Sequence, residues 1–99
     1  KTLFGDALQT TARTLLRNMM LDNTTGDGTI RAGVDPAWPV ADKTGTGGYG
    51  VRNDIGVVYP AGHAPIVVVV MTAKSASGAT PDDALLAAAA KIAVDQLTR

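Results

Sequence analysis

The segment Val40-Ala41-Asp42-Lys43-Thr44-Gly45-Thr46-Gly47-Gly48-Tyr49-Gly50 reads as a strand that runs into a bend. An apolar approach ends in a charged pair, and a lysine, two small hydroxyls and four glycines follow. Lysine is a compact cation with three donors. Threonines beside it can hydrogen-bond the same anion, and glycine lets backbone N–H groups come close to a ligand. Such a strip suits a small substrate bearing a carboxylate and a carbonyl. It holds no nucleophile with an activating neighbour and no general base.

Working outward, Trp38 to Thr46 is predicted as a strand, with Pro39 restricting pairing near its start. Asp54 to Tyr59 is a second strand. The tight connection Pro60-Ala61-Gly62-His63-Ala64 then returns the chain antiparallel into a third, Pro65 to Ala73. Its run Ile66-Val67-Val68-Val69-Val70-Met71 predicts burial on both faces, hence a central strand with helices on both sides of the sheet. Upstream, Thr10 to Asp22 is predicted as a helix whose stripe Ala12, Leu15, Leu16, Met19 and Met20 faces the core. Residues 1–8 read as the tail of an earlier helix turned at Gly5. Asn23 to Gly28 is a turn, in which Asn23-Thr24-Thr25 matches the N-x-T glycosylation pattern by chance, and Thr29 to Val34 is a short link of one helical turn. Downstream, Thr80-Pro81-Asp82-Asp83 is a helix start, with threonine capping, proline in the first position and aspartates at the positive end. That helix runs to about Leu97 and presents Leu85, Ala88, Ala89, Ile92 and Ala93 to the sheet. The expected class is α+β, helix–three antiparallel strands–helix, with helices at about 10–22 and 80–97 and strands at about 38–46, 54–59 and 65–73.

Composition narrows the function. Ninety-nine residues make one domain at most. Formal net charge is zero, which argues against a nucleic-acid partner. No apolar run reaches a membrane span, and no N-terminal signal pattern is present. Without cysteine, and with His63 as the single histidine, neither a disulfide nor a metal cluster can be built. All nine acidic residues are aspartate. Asp42 and Asp54 are expected to organise local salt bridges, Trp38 and Tyr49 to pack, and His63 to lie exposed in its turn. Gly45-x-Gly47-x-x-Gly50 satisfies the dinucleotide-binding pattern, but a strand follows it where a helix is required. It reads instead as a glycine-rich hairpin.

Lys43-Thr44-Gly45 after a strand resembles the K-T-G element of serine β-lactamases and penicillin-binding proteins. Around it, Asn23-Thr24-Thr25-Gly26, Ile30-Arg31-Ala32-Gly33, Trp38, Asp42 to Gly47, Tyr49-Gly50, Asn53-Asp54-Ile55 and Ala64-Pro65-Ile66-Val67 are similar to class A β-lactamases in order and spacing. The resemblance extends over almost the whole chain. It implies the C-terminal part of the serine β-lactamase/penicillin-binding-protein transpeptidase-like fold, in which an antiparallel sheet lies beside an all-helical region. It implies a serine acyl-enzyme mechanism with no cofactor and no metal, a β-lactam substrate, and a periplasmic or secreted address.

Residue by residue, Lys43 resembles the lysine that attracts the substrate carboxylate and supports a catalytic serine. Thr44 resembles the hydroxyl that binds that carboxylate. Thr46, after Gly45, resembles the position whose backbone N–H forms half of the oxyanion hole, a donor worth about 3 kcal/mol in comparable sites. Arg52 aligns with an arginine that reaches back to the carboxylate, a task suited to a bidentate guanidinium. The rest of the machinery is absent from these residues. Neither Ser75 nor Ser77 is followed by a lysine three positions on, there is no S-D-N element, and there is no glutamate to deacylate. The expectation is that the chain alone is inactive and that the missing N-terminal part, as another segment or chain, completes it. A fragment of a penicillin-binding protein or D-alanyl-D-alanine carboxypeptidase, and a non-catalytic self-associating module, are the competing readings.

Overall fold

The computed structural model describes residues 5–99. Helix α1 spans Thr10–Leu21, a 3-10 turn spans Ile30–Gly33, strands β1 (Val40–Thr46), β2 (Arg52–Val58) and β3 (Ile66–Thr72) follow, and helix α2 (Asp83–Leu97) closes the order. The strands form one antiparallel sheet in the order β1-β2-β3. The helix–three strands–helix order agrees with expectation. The earlier helical tail expected over residues 1–8 falls partly outside the described residues, and residues 5–8 form bends, not helix.

Strand alternation sorts the side chains onto two faces. One face carries Val40, Val58 and Val68, which meet Ile30 of the 3-10 turn and Ala90 and Val94 of α2 in the core, with Val34, Trp38, Ile66 and Val70 packed around them. The other carries Ala41 and Val57, both buried, then Lys43, Ile55, Val67, Val69 and Met71, all exposed.

Three expectations are corrected here. β3 is an edge strand and β2 the central one. Met71 is 74% exposed, so the β3 run is buried on one face only, and the helix α2 covers that face. The apolar stripe of α1 does not reach a core: no residue of α1 is fully buried, and Leu15 and Met19 are largely exposed. In α2 the buried residues are Leu86, Ala90 and Val94, spaced by four, while Leu85 and Ile92 face solvent. Leu85 and Leu86 adjoin four alanines, so nearly every side of the first turns is apolar. Periodicity then cannot phase such a helix.

α2 also starts later than its composition indicated. Asp82, not Thr80, is the N-cap, and its carboxylate accepts from the Leu85 N–H at 3.1 Å. Asp83 lies in the first turn, where the helix dipole favours negative charge. Asp82→Ala is expected to destabilise the chain by about 1 kcal/mol, read as a lower urea midpoint at unchanged slope. Thr80→Ala should leave that midpoint in place.

The bend after β1 is tight. The Val51 N–H donates to the Gly48 carbonyl at 3.2 Å, and both central residues, Tyr49 and Gly50, have positive φ. Two positive φ values in a two-residue loop match the right-handed twist of the flanking strands. Gly50 supplies its value without strain, whereas Tyr49 is held at φ 60° by backbone bonds to the far loop. Its N–H donates to the Ser77 carbonyl and its carbonyl accepts from the Lys74 N–H.

Candidate functional site

The outer edge of β1 is where the singled-out residues converge. Tyr59 donates its N–H to the Pro39 carbonyl at one end of the β1–β2 ladder, and Gly47 donates to the Val51 carbonyl at the other. Antiparallel ladders alternate bonded and non-bonded pairs. The bonded pairs are therefore the odd ones, Ala41, Lys43 and Gly45 against Val57, Ile55 and Asn53. The backbone N–H and C=O groups of Thr44 and Thr46 consequently point away from β2. Among the described residues no strand pairs on that side, so the edge offers outward N–H donors at two alternate positions.

Side chains frame this edge. Lys43 lies on the exposed face, and its Nζ turns back to donate to the Thr44 carbonyl at 2.7 Å. Thr44 and Thr46 sit on the opposite face, so the strand does not set Lys43 beside the two hydroxyls; its long stem brings the ammonium to the edge instead. Arg52 pairs with Thr46 across the strands and is 14% exposed. Its Nη1 donates to Thr46 Oγ1 (2.8 Å), its Nη2 to the Thr25 carbonyl (2.8 Å), and its Nε to Asp83 Oδ1 (2.9 Å). A guanidinium tied at three points is rigid, with little orientation left to lose when an anion arrives. Gly45 meets no side chain where a Cβ would stand, which leaves the edge open there. Lys43, Thr44, Gly45, Thr46 and Arg52 thus occupy one margin of the sheet.

Behind that margin lies a buried polar cluster around the two aspartates expected to organise local salt bridges; the parts Asn23, Thr25, Thr29 and Arg31 play in it were not read from the sequence. Asp42 and Asp54 are both fully buried and stand diagonally on one face, Asp42 opposite Gly56 and Asp54 opposite Thr44. Asp42 Oδ1 accepts from Arg31 Nη2 (2.9 Å) and from Asn23 Nδ2 (3.2 Å). Asp54 Oδ2 accepts from the Thr29 hydroxyl (2.5 Å) and the Ile30 N–H (3.2 Å). The expected salt bridge exists for Asp42; Asp54 is held by neutral donors instead. Burial first, and the neighbouring Asp42 carboxyl next, push the Asp54 carboxyl up to about 6, against the pull of its bonds to Thr29 and Ile30. Two glycines make room for Asp42. A Cβ at Gly26 would fall 1.7 Å from Asp42 Oδ2, and one at Gly56 would meet the Ala41 carbonyl at 2.7 Å and Asp42 Cβ at 3.1 Å.

Asn23 and Thr25 connect the cluster to the edge. The Thr25 hydroxyl donates to Asn23 Oδ1 at 2.8 Å and lies 2.9 Å from the Thr44 hydroxyl. The contacts of Thr25 with Thr44 and of Asn23 with Asp42 each span 19 residues of sequence, so no local spacing announces them. Arg31 clamps the same region, its Nη2 also facing the carbonyls of Met20, Leu21 and Val40. Trp38 packs against the core and His63 is exposed in its turn, as expected. Among the described residues no group of three or more His, Cys, Asp or Glu side chains could hold a metal, and no helix is long and apolar enough to cross a membrane.

Known proteins are similar to this chain in sequence and fold. A family model described as the β-lactamase enzyme family matches residues 1–97. A β-lactamase of Amycolatopsis lactamdurans is 52% identical over 95 residues, which is 96% of this chain and 32% of that protein. One from Bacillus amyloliquefaciens is 48% identical over 93 residues, 94% of this chain and 30% of its own length. The solved β-lactamase of Streptomyces albus G superposes with a TM-score of 0.92 at 45% identity, covering 96% of this chain and 36% of that structure. The chain thus spans about a third of the length of the relatives it matches, and it belongs to the β-lactamase enzyme family as a C-terminal portion of that fold.

Proposed function

We propose that the β1 edge is the carboxylate- and carbonyl-binding wall of a class A β-lactamase site. In this reading Lys43 and Arg52 supply positive charge for the substrate carboxylate. The Thr44 hydroxyl donates to the same carboxylate. The outward Thr46 N–H donates to the carbonyl oxygen where negative charge develops during acyl transfer. The observation that carries the reading is the direction of that N–H: it leaves the sheet on the unpaired side, next to an arginine fixed on Thr46 itself. Gly45 keeps the approach clear.

The remaining steps need groups this chain does not contain. A nucleophile serine with its lysine, an S-D-N element and a deacylating glutamate would come from the rest of the protein. The exposed apolar residues Ile55, Val67, Val69 and Met71, with the unpaired edge of β3, are the surface against which that remainder would pack. A periplasmic or secreted address goes with this reading.

The chain by itself is then expected to give no saturable hydrolysis of a chromogenic cephalosporin, since loss of a covalent nucleophile leaves only weak residual catalysis. Saturable turnover abolished by Lys43→Ala would overturn the assignment of incompleteness. In the complete protein, Lys43→Ala is expected to lower kcat/KM by at least tenfold, and an unchanged value would remove Lys43 from the site.

A further inference from the structure

Among the described residues, two buried carboxyl oxygens have no hydrogen-bond partner: Asp42 Oδ2 and Asp54 Oδ1. They belong to adjacent carboxyls on one face of the sheet. A buried carboxylate oxygen without a donor is costly, and two such anions side by side are costlier still. One proton placed between them satisfies both atoms together.

The other oxygens define where that pair leads. Asn23 gives its amide N–H to Asp42, so its carbonyl oxygen must face the other way, toward Thr25. Asn23 Oδ1 then accepts from both the N–H and the hydroxyl of Thr25. The Thr25 hydroxyl has one proton. With it on Asn23, Thr44 is the donor in the 2.9 Å contact between the two hydroxyls. Turning the Thr25 proton to Thr44 reverses that contact. The Thr44 proton is then free to point at a ligand, and no heavy atom has moved.

We propose that Asp42 and Asp54 hold a single shared proton and that this buried pair, acting through Asn23 and Thr25, sets the direction of the Thr44 hydroxyl at the β1 edge. Asp42, Asp54 and Asn23 are positioning residues in this scheme, and none touches substrate. The inference rests on the reading of that edge as an anion-binding wall and names what controls one of its donors.

The surroundings leave the pair to itself. Arg31, from the 3-10 turn, is the cation bonded to it, and its other ion pair is with Asp27. Arg52, two residues along β2, is committed to Asp83, Thr46 and Thr25. β3 contributes Val68 and Val70 opposite Gly56 and Asp54. α2 packs inward through Leu86, Ala90 and Val94. Lys43 lies on the opposite face of β1.

Carbon-13 NMR of the full chain across pH tests this without any β-lactam, so it can fail while the family function stands, or succeed while that function fails. The Asp54 Cγ signal should titrate with a midpoint near 6, with the Asp42 signal moving in step. The Thr44 Cβ should respond at the same midpoint. Asp54→Asn should abolish all three responses. Asn23→Ala should keep the Asp54 titration and silence Thr44, and Thr25→Val should do the same if Asn23→Ala does not fold. Titration of Asp54 in the ordinary aspartate range, around 4, would overturn the shared proton. A Thr44 that stays silent in the parent chain, or still responds after Asn23 or Thr25 is replaced, would overturn the relay.

Discussion

Arg31→Met is expected to destabilise the chain by about 3–5 kcal/mol at neutral pH, the range typical when one partner of a buried ion pair is removed. The variant leaves Asp42 fully buried with only Asn23 as a donor. It also releases the carbonyls of Met20, Leu21 and Val40, which Arg31 gathers from the end of α1 and the start of β1. Methionine fills the volume of the arginine stem, so the loss is one of charge and donors rather than of packing. The contact to Asp27 adds little, because that carboxylate is 66% exposed and screened by solvent. Urea unfolding at pH 7 and again near pH 4 separates these effects. The deficit should shrink below about pH 6, since protonation of the neighbouring Asp54 lowers the negative charge of the buried pair that Arg31 offsets. A loss below about 1 kcal/mol at pH 7 would mean that water, not Arg31, satisfies Asp42.

The division between what the chain announces locally and what it conceals follows from range. The β1–β2 hairpin was legible because a strand pattern runs directly into glycines. The turn chemistry at Gly48 to Val51 needs only neighbours, and the register follows from it. The helix–strands–helix order was legible for the same reason. What failed depended on partners. The apolar run of β3 is ambiguous between one buried face and two, and sheet order decides it. The phase of α2 was lost in an alanine-rich stretch, where only contact with Ile30, Val40 and Val68 picks out Ala90 and Val94.

The candidate site divides in the same way. Lys43, Thr44, Gly45 and Thr46 are contiguous, and their motif is visible in sequence. That Lys43 lies on the opposite face of β1 from Thr44 and Thr46 follows from strand alternation alone. That the Thr46 N–H leaves the sheet on its open side requires the ladder. Asn23, Thr25 and Arg31 reach the site from 9 to 19 residues away. Asn23 and Thr25 read as turn chemistry, and Arg31 as part of a one-turn link, until the fold placed a buried aspartate beneath them.

That buried aspartate has a neighbour whose titration gives the second large effect. Asp54 is pushed from an ordinary 3.8 to about 6 by burial and by Asp42. Below pH 3.8 the carboxyl is protonated in the folded and the unfolded chain alike, and it contributes no pH dependence. Between 3.8 and about 6 the unfolded chain has released the proton that the folded chain keeps. Folding then takes up a proton, and stability falls as pH rises. Above about 6 both states are ionised and the decline is complete. At about 1.4 kcal/mol per pH unit, a rise of roughly two units makes the chain about 3 kcal/mol less stable at pH 7 than in mild acid, as far as this group alone is concerned. Asp54→Asn should remove that slope. The asparagine oxygen can keep the bonds from Thr29 and Ile30, and its amide can donate to Asp42 Oδ2, so both unpartnered oxygens of the parent pair are accounted for without a titrating group. Urea midpoints measured from pH 4 to 8 should therefore fall in the parent chain and run flatter in the variant, with the variant the more stable of the two above pH 6. Parallel profiles would show that the Asp54 carboxyl is ionised in the folded chain throughout that range, and a variant less stable at every pH would show that Asp54 acts through its charge on Arg31 rather than through a proton shared with Asp42.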